Sequence, residues 1–358
     1  MSDFTHPVLF QKYPGLEKGI AWTGLGEFPT PVEPLKNTGK GNLWIKRDDL
    51  SSQFYGGNKV RKLEFILARA LEKGKRTVVT LGGTGTNHGL ATAIFARELG
   101  LKSRLILFRQ PVTSMVKKNL LLFHRYGAEL IYRRTLFRAA LSFMFFERVR
   151  SCGSYFIFAG GSTPPGTLGF VNAAFELKQQ IMDGELPEPE IIYCPLGSGG
   201  TLAGLTLGAA LAGLGSKVVG VRVTATHLGL IQTCTVKTVS GLMQRTLSLM
   251  KRYCPELALE KVPAPLIIGD YLGDGYGCPT RECLYAMKTM MDMEGIELEP
   301  TYTAKTFACV MERCQASEGP VLYWHTYNSN DLSAEAASVD PGELPGELQV
   351  FLKEETAV

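Results

Sequence analysis

From residue 76 to residue 223 the chain alternates short apolar runs with helix-length amphipathic segments, and this rhythm constrains its fold more than any other feature. Residues 76–81 read as a buried strand, 88–99 as a helix ending at Gly100, 103–108 as a strand, and 114–126 as a helix stopped by Gly127. A strand over 129–132, a helix over 135–149 and a strand over 155–158 follow. The pattern resumes with helices over 167–182 and 201–212 and strands over 191–194 and 217–223. Strands alternating with helices that end at glycine predict parallel α/β layers. Residues 231–259, rich in Leu, Met, Lys and Arg, continue in a helical pattern.

The turn-rich stretch Gly160-Gly161-Ser162-Thr163-Pro164-Pro165-Gly166 is the best linker. It closes a unit of about a hundred residues begun near Lys59, a plausible domain size. The expected organisation is a discontinuous large domain of residues 1–59 and 166–340, a small domain of 60–165, and a peripheral acidic tail of 341–358.

A formal charge of +4 over 358 residues is too small and too scattered to argue for a nucleic-acid or membrane partner. No basic-plus-apolar N-terminal segment reads as a signal peptide, so a cytoplasmic protein is expected. The most apolar run, 139–146, is far too short to span a bilayer and reads as a buried helix. Eight cysteines, at 152, 194, 234, 254, 278, 283, 309 and 314, include no C-x-x-C pair, and the two C-x4-C pairs lack nearby histidines. They read as reduced core thiols, with no metal site.

Gly57-Asn58-Lys59-Val60 sets a lysine after a tight turn, at the start of a helix-patterned run. Positive potential at a helix N-terminus favours the neutral amine, the form that makes a Schiff base with an aldehyde cofactor. Composition does not choose between Lys59 and Lys62. Two glycine-rich loops each lie between a predicted strand and a predicted helix. In Gly82-Gly83-Thr84-Gly85-Thr86-Asn87-His88-Gly89, His88 takes the third glycine place of a dinucleotide fingerprint, and the next strand ends at Arg109 rather than at an acid. Both departures argue against NAD. In Pro195-Leu196-Gly197-Ser198-Gly199-Gly200-Thr201, no Gly-Lys-Ser/Thr follows, so the loop suits a single phosphate ester rather than a nucleoside triphosphate. A Schiff-base lysine with a monophosphate cup implies pyridoxal 5'-phosphate.

The segments Ile45-Lys46-Arg47-Asp48-Asp49-Leu50, Gly56-Gly57-Asn58-Lys59-Val60-Arg61-Lys62-Leu63-Glu64, Thr86-Asn87-His88, Gly160-Gly161-Ser162, Gly197-Ser198-Gly199-Gly200-Thr201-Leu202-Ala203-Gly204, Gly275-Tyr276-Gly277-Cys278-Pro279, Glu299-Pro300-Thr301-Tyr302-Thr303-Ala304-Lys305 and His325-Thr326 occur in one order from about residue 20 to 330. Together they resemble the 1-aminocyclopropane-1-carboxylate deaminase and D-cysteine desulfhydrase family of fold-type II pyridoxal-phosphate enzymes. The resemblance implies two open parallel α/β domains, tryptophan synthase β-like, with the cofactor in the cleft, and a homodimer acting on a small amino acid. By the same resemblance Lys59 binds the cofactor covalently and Asn87 bonds its 3-hydroxyl. Thr86 lies by the substrate carboxylate, and Gly197, Ser198, Gly199, Gly200 and Thr201 form the phosphate cup. Tyr302 packs on the pyridine ring, and Tyr276 relays a proton. His88, Asn87 and Tyr327 join the substrate side. His88 and His325 are left out of the catalytic set as scaffold, and Lys305 reads as a solvated helix lysine.

The chain departs from the family pattern at three places. Where the deaminase branch carries a glutamate after the ring-stacking tyrosine, this chain has Thr303. A hydroxyl cannot hold a full positive charge on the ring nitrogen as a carboxylate can. This favours β-elimination, as in a D-cysteine desulfhydrase, over cyclopropane opening. After His325-Thr326 the family's Gly-Gly is replaced by Tyr327-Asn328, and Leu90 stands where an arginine is frequent. The rival readings are a cyclopropane deaminase, a cysteate sulfo-lyase, a racemase or dehydratase and, from another class, a pyridoxal-phosphate-binding protein without turnover.

Overall fold

The structure is a computed structural model that describes residues 6–39, 41–150, 153–228 and 231–356. Cys152 lies outside the described residues. In chain order the strands are β1 (Val32–Pro34), β2 (Leu43–Arg47), β3 (Thr77–Gly83), β4 (Lys102–Phe108), β5 (Glu129–Arg133), β6 (Tyr155–Ile157), β7 (Ile191–Leu196), β8 (Lys217–Arg222), β9 (His227–Leu228), β10 (Ile231–Gln232), β11 (Leu266–Ile268) and β12 (Val321–His325). The chain divides into two compact units, Met1–Phe65 with Ser162–Ser329 and Ile66–Gly161 with Asn330–Val358.

The first unit is built on a six-stranded sheet in the order β1-β2-β12-β7-β8-β11. Only β1 runs antiparallel to its neighbour. β12 is inserted between β2 and β7, with Tyr323 level with both Ile45 and Tyr193. All five residues of β12 are buried, as expected of a strand covered on both faces. Helices Pro164–Met182 and Gly200–Ala212 bury Leu168, Phe170, Leu202 and Leu205 with Trp324 in one core, while Thr303–Arg313 and Arg281–Glu294 bury Phe307 and Met290 in another. Removing each such side chain from water contributes about 1.5–3 kcal/mol.

The Lys46-Arg47-Asp48-Asp49 segment holds a buried charge cluster. Arg61 bonds Asp48 Oδ1 at 2.7 Å and Glu176 Oε2 at 2.7 Å, and Lys46 reaches Glu176 Oε1 at 2.6 Å. Trp324 Nε1 donates to Asp48 Oδ2 at 2.7 Å and Thr30 Oγ1 to Asp48 Oδ1 at 2.9 Å. Two cations meet two carboxylates, so neither charge type is left uncompensated in the core.

The second unit carries a parallel sheet in the order β5-β4-β3-β6. Helices Asn87–Glu98 and Ser114–Arg125 start at Thr86 and Thr113, whose hydroxyls accept from Gly89 N and Val116 N. Residues after Asp340, expected to be a peripheral tail, pack into this unit instead. Leu344, Leu348 and Phe351 are buried, Phe351 meets Tyr132 edge to face at 5.4 Å, and Arg109 forks onto Glu354 at 3.0 and 2.8 Å. The acidic composition of the segment hides this three- to four-residue apolar spacing.

Two further expectations need correction. The helix read over 231–259 spans Val236–Tyr253, because Thr235 and Thr238 form a capping box there, and residues 231–232 pair with 227–228 as strands. The run 139–146 is helical but not buried as a whole. Ala139 and Phe143 face the core, whereas Met144, Phe145 and Phe146 are exposed.

Candidate active site

Lys59 is the first residue of helix Lys59–Glu72, as its turn-and-helix setting predicts. Its Nζ donates to Asn58 Oδ1 at 2.6 Å, and Asn58 Nδ2 donates to Thr201 Oγ1 at 3.2 Å. Burial draws the Lys59 amine down from 10.5 to about 8, against an opposing pull from the Glu299 carboxylate. A useful fraction of neutral amine is thus present near neutral pH. Lys62 is more deeply buried, and burial together with the charge of Lys59 pushes it well below the usual lysine range.

The loop after β7 turns into helix Gly200–Ala212 through Gly199, whose φ of +88° is open to glycine at little cost. Gly199 at the N-cap has no side chain to cap this helix, and Gly200 N donates to Ser162 Oγ, so the positive helix end is presented together with a hydroxyl, as suits an anion. Ser162 Oγ donates to Ser198 Oγ at 2.7 Å and accepts from Gly200 N at 3.0 Å. A Cβ at Gly200 would come within 2.9 Å of Lys62 Nζ, and one at Gly197 within 2.8 Å of the Tyr302 ring. Backbone N–H groups, the hydroxyls of Ser162, Ser198 and Thr201, and a buried lysine therefore converge at one cup. That donor set fits a phosphate monoester. Ser162 and Lys62 were not assigned from the sequence. Both lie in quoted motifs, but only the fold brings them to the cup.

Beside Gly197, the hydroxyls of Tyr302 and Tyr276 lie 2.7 Å apart. Burial raises both phenols, Tyr302 the more strongly. Lys305 is fully buried rather than solvated, and its ammonium donates to Leu272 O at 2.5 Å and Gly275 O at 3.2 Å, tying down the loop that carries Tyr276. Glu299 is a buried carboxylate missed by the sequence reading. It accepts from Thr301 N, Tyr302 N and Thr303 N at 2.9, 2.5 and 2.9 Å, which fixes the turn bearing Tyr302. Burial raises its pKa, and those three N–H bonds hold the rise back. Its signal was a carboxylate just ahead of a helix start.

Thr303 is buried and its hydroxyl stays local, accepting from Glu299 N at 2.8 Å and donating to Glu299 O at 3.2 Å. Tyr323 donates to Thr303 O at 3.1 Å and contacts His325 Nδ1 at 3.3 Å. Burial lowers His325 to about 4, so it is neutral scaffold at pH 7. Asn328 Oδ1 accepts from Gly56 N at 2.6 Å and Asn58 N donates to Thr326 O at 3.2 Å, so the segment replacing Gly-Gly braces the turn before Lys59. Tyr327 is half-buried, and burial raises its phenol.

The remaining assigned residues sit in the second unit. Thr86 caps its helix, Asn87 Oδ1 accepts from Asn119 Nδ2 at 3.2 Å, and His88 and Leu90 are buried.

Comparison with known proteins agrees with this chemistry. A family profile described as pyridoxal-phosphate dependent enzyme matches residues 24–326. The chain belongs to that family, as a fold-type II enzyme, and its cofactor is pyridoxal 5'-phosphate. Its particular relatives include a protein of Thermotoga maritima, provisionally named 1-aminocyclopropane-1-carboxylate deaminase, 36% identical over 306 residues that cover 83% of this chain and 93% of the relative. A crystal structure of an ACC deaminase homologue superposes with a TM-score of 0.73 at 28% identity, covering 97% of this chain and all of the other. Threonine deaminase isoform 2 of Solanum lycopersicum shares the fold, with a TM-score of 0.60 at 16% identity over 94% of this chain and 93% of its own.

Proposed function

We propose that the protein is a lyase that eliminates the β-substituent of an amino acid, D-cysteine or a close β-substituted alanine. With one water consumed in hydrolysing the enamine left by elimination, the products are a 2-oxo acid, ammonia and, from cysteine, sulfide. The carrying observation is position 303, where a buried threonine spends its hydroxyl on the Glu299 backbone and no carboxylate side chain follows Tyr302.

Bound pyridoxal 5'-phosphate supplies an electron sink for a carbanion at the substrate α-carbon. Gly197, Ser198, Gly199, Gly200 and Thr201, with Ser162 and Lys62, hold its phosphate. Lys59 would hold it covalently, and its Nζ would take or return the α-proton. Tyr302 and Tyr276 hold or move a second proton at their paired hydroxyls. By family resemblance Thr86 and Asn87 take the substrate carboxylate and the cofactor 3-hydroxyl, and His88 and Tyr327 shape the substrate side. Without a carboxylate from residue 303 the sink is weak. It suffices where a thiolate leaves with the electron pair, and it disfavours opening a cyclopropane that has no such leaving group. The same reading expects a cytoplasmic homodimer.

A second reading, cyclopropane deamination, is favoured by the names of the T. maritima relative and of the solved homologue. Incubating the holoenzyme with D- and L-cysteine, other β-substituted alanines and 1-aminocyclopropane-1-carboxylate, while following 2-oxo acid and sulfide, separates the readings. Pyruvate with sulfide from D-cysteine supports the elimination. Faster 2-oxobutanoate release from the cyclopropane substrate moves the assignment to the second reading. No turnover by a protein that retains cofactor makes it a binding protein.

A further inference from the structure

Helix Leu136–Leu141 continues through a π turn, Ser142–Phe146, into Glu147–Arg150. Ala139, Phe143 and Glu147, four residues apart, are buried beneath it. Phe143 meets Phe156 at 5.4 Å, and Glu147 accepts from Arg104 at 3.1 Å, so the underside is anchored in the second unit. The opposite side carries Phe137, Leu141, Phe145 and Val149, again four apart, and Phe137, Phe145 and Val149 are 76%, 62% and 84% exposed. A helix of about 3.6 residues per turn drifts sideways at that spacing, and the wider π turn takes up the drift, keeping the four in one ridge. Met144 and Phe146 widen it.

The ridge is flanked by positive charge. Arg134, Arg138, Arg148 and Arg150 are exposed around it. The acidic groups nearby are already engaged: Glu147 is buried against Arg104, and Glu129 meets Arg104 at 2.6 Å and Arg150 at 4.0 Å. An exposed apolar face of this extent marks a docking surface. An apolar ridge with arginines along its flanks matches the depth profile of a membrane interface, with aromatic and aliphatic groups at the acyl boundary and guanidinium groups at the phosphates. A second copy of the chain docked ridge to ridge would gather two sets of these arginines into one interface, a charge density that an anionic surface neutralises and a like copy does not.

We propose that the helix spanning Leu136 to Arg150 docks the protein onto an anionic phospholipid surface, lying in the interface through Phe137, Leu141, Phe145 and Val149. Among the described residues no helix is long and apolar enough to cross a membrane, so the attachment is peripheral.

The test is flotation of the holoenzyme with phosphatidylcholine vesicles and with vesicles that also contain phosphatidylglycerol. At low salt, Arg134, Arg138 and Arg148, the three not paired with Glu129, contribute roughly fivefold each and give a preference of about a hundredfold for the anionic vesicles, lost progressively as salt is added. Phe137→Ser with Phe145→Ser should abolish binding, and Arg138→Glu with Arg148→Glu should remove the anionic preference. Both should leave the cofactor absorbance and the turnover in solution unchanged. Equal or absent binding to the two vesicle types overturns the proposal. So does a wild-type oligomer that binds no vesicles and dissociates in the phenylalanine variant, which would make the ridge a self-interface.

Discussion

The hydroxyls of Tyr276 and Tyr302 share one hydrogen bond of 2.7 Å, with the two rings edge to face at 5.9 Å. Burial raises both phenols, but the bond lowers Tyr276 and raises Tyr302. Either hydroxyl can donate in this bond, so each phenol can hold the proton for the other. Tyr276→Phe should cut kcat by about 10²–10⁴ with a small change in KM, the range of a lost acid–base group. Tyr302→Phe removes the hydrogen-bond partner that lowers Tyr276 and should move the alkaline limb of the kcat profile upward. Equal, pH-independent losses in both variants would reduce the pair to packing.

Lys59 gives a pH prediction. Capture of cofactor by the apoenzyme needs the neutral amine, so its rate should rise with pH around a midpoint near 8 rather than 10.5. The Glu299 carboxylate opposes the drop, so Glu299→Gln should move the midpoint to lower pH while one side-chain oxygen still accepts from Tyr302 N and Thr303 N. Stopped-flow absorbance across pH measures both midpoints.

Borohydride trapping separates the two lysines of the Lys59–Lys62 pair. Lys59→Ala should abolish the covalent label. Lys62→Ala should keep the label yet weaken retention of the cofactor by about tenfold or more, the effect of losing one charge-assisted bond to phosphate. A label that persists without Lys59 would overturn its assignment.

The buried charge cluster sets the acid limit of the first unit. Burial alone would raise Glu176, but Arg61 and Lys46 more than offset it and hold the carboxyl near 2, against 4.5 when free. This stabilisation is complete above pH 4.5 and is lost as pH falls toward 2. His325 is buried neutral, with its pKa lowered from 6.5 to about 4, so the unfolded chain binds more protons between those values and stability falls as pH drops through that window. Glu64, raised by burial from 4.5 to about 7, adds stability as pH falls over the same window and offsets His325, so thermal melts from pH 7 to 3 should show the decline chiefly below pH 4.5. Glu176→Gln should cost about 3–5 kcal/mol at pH 7 by leaving Arg61 and Lys46 underpaired.

Sequence alone determined the alternating strands and helices from β3 to β8, because each element carries its own period and its own stop signal. It also determined the cofactor chemistry, since a lysine after Gly-Asn and a glycine loop before a helix are local motifs. The place of β12 between β2 and β7 was not legible, because nothing local says which distant strand fills a gap in a sheet. Glu299, Ser162 and Lys62 joined the site only through tertiary structure. Their roles rest on partners such as Thr303 N, Gly200 N and the phosphate cup, which folding alone brings within bonding distance. Likewise, the apolar run Phe143-Met144-Phe145-Phe146 does not itself say which of its side chains face the core. Which side faces water was decided by where Phe143 and Glu147 found partners in the core.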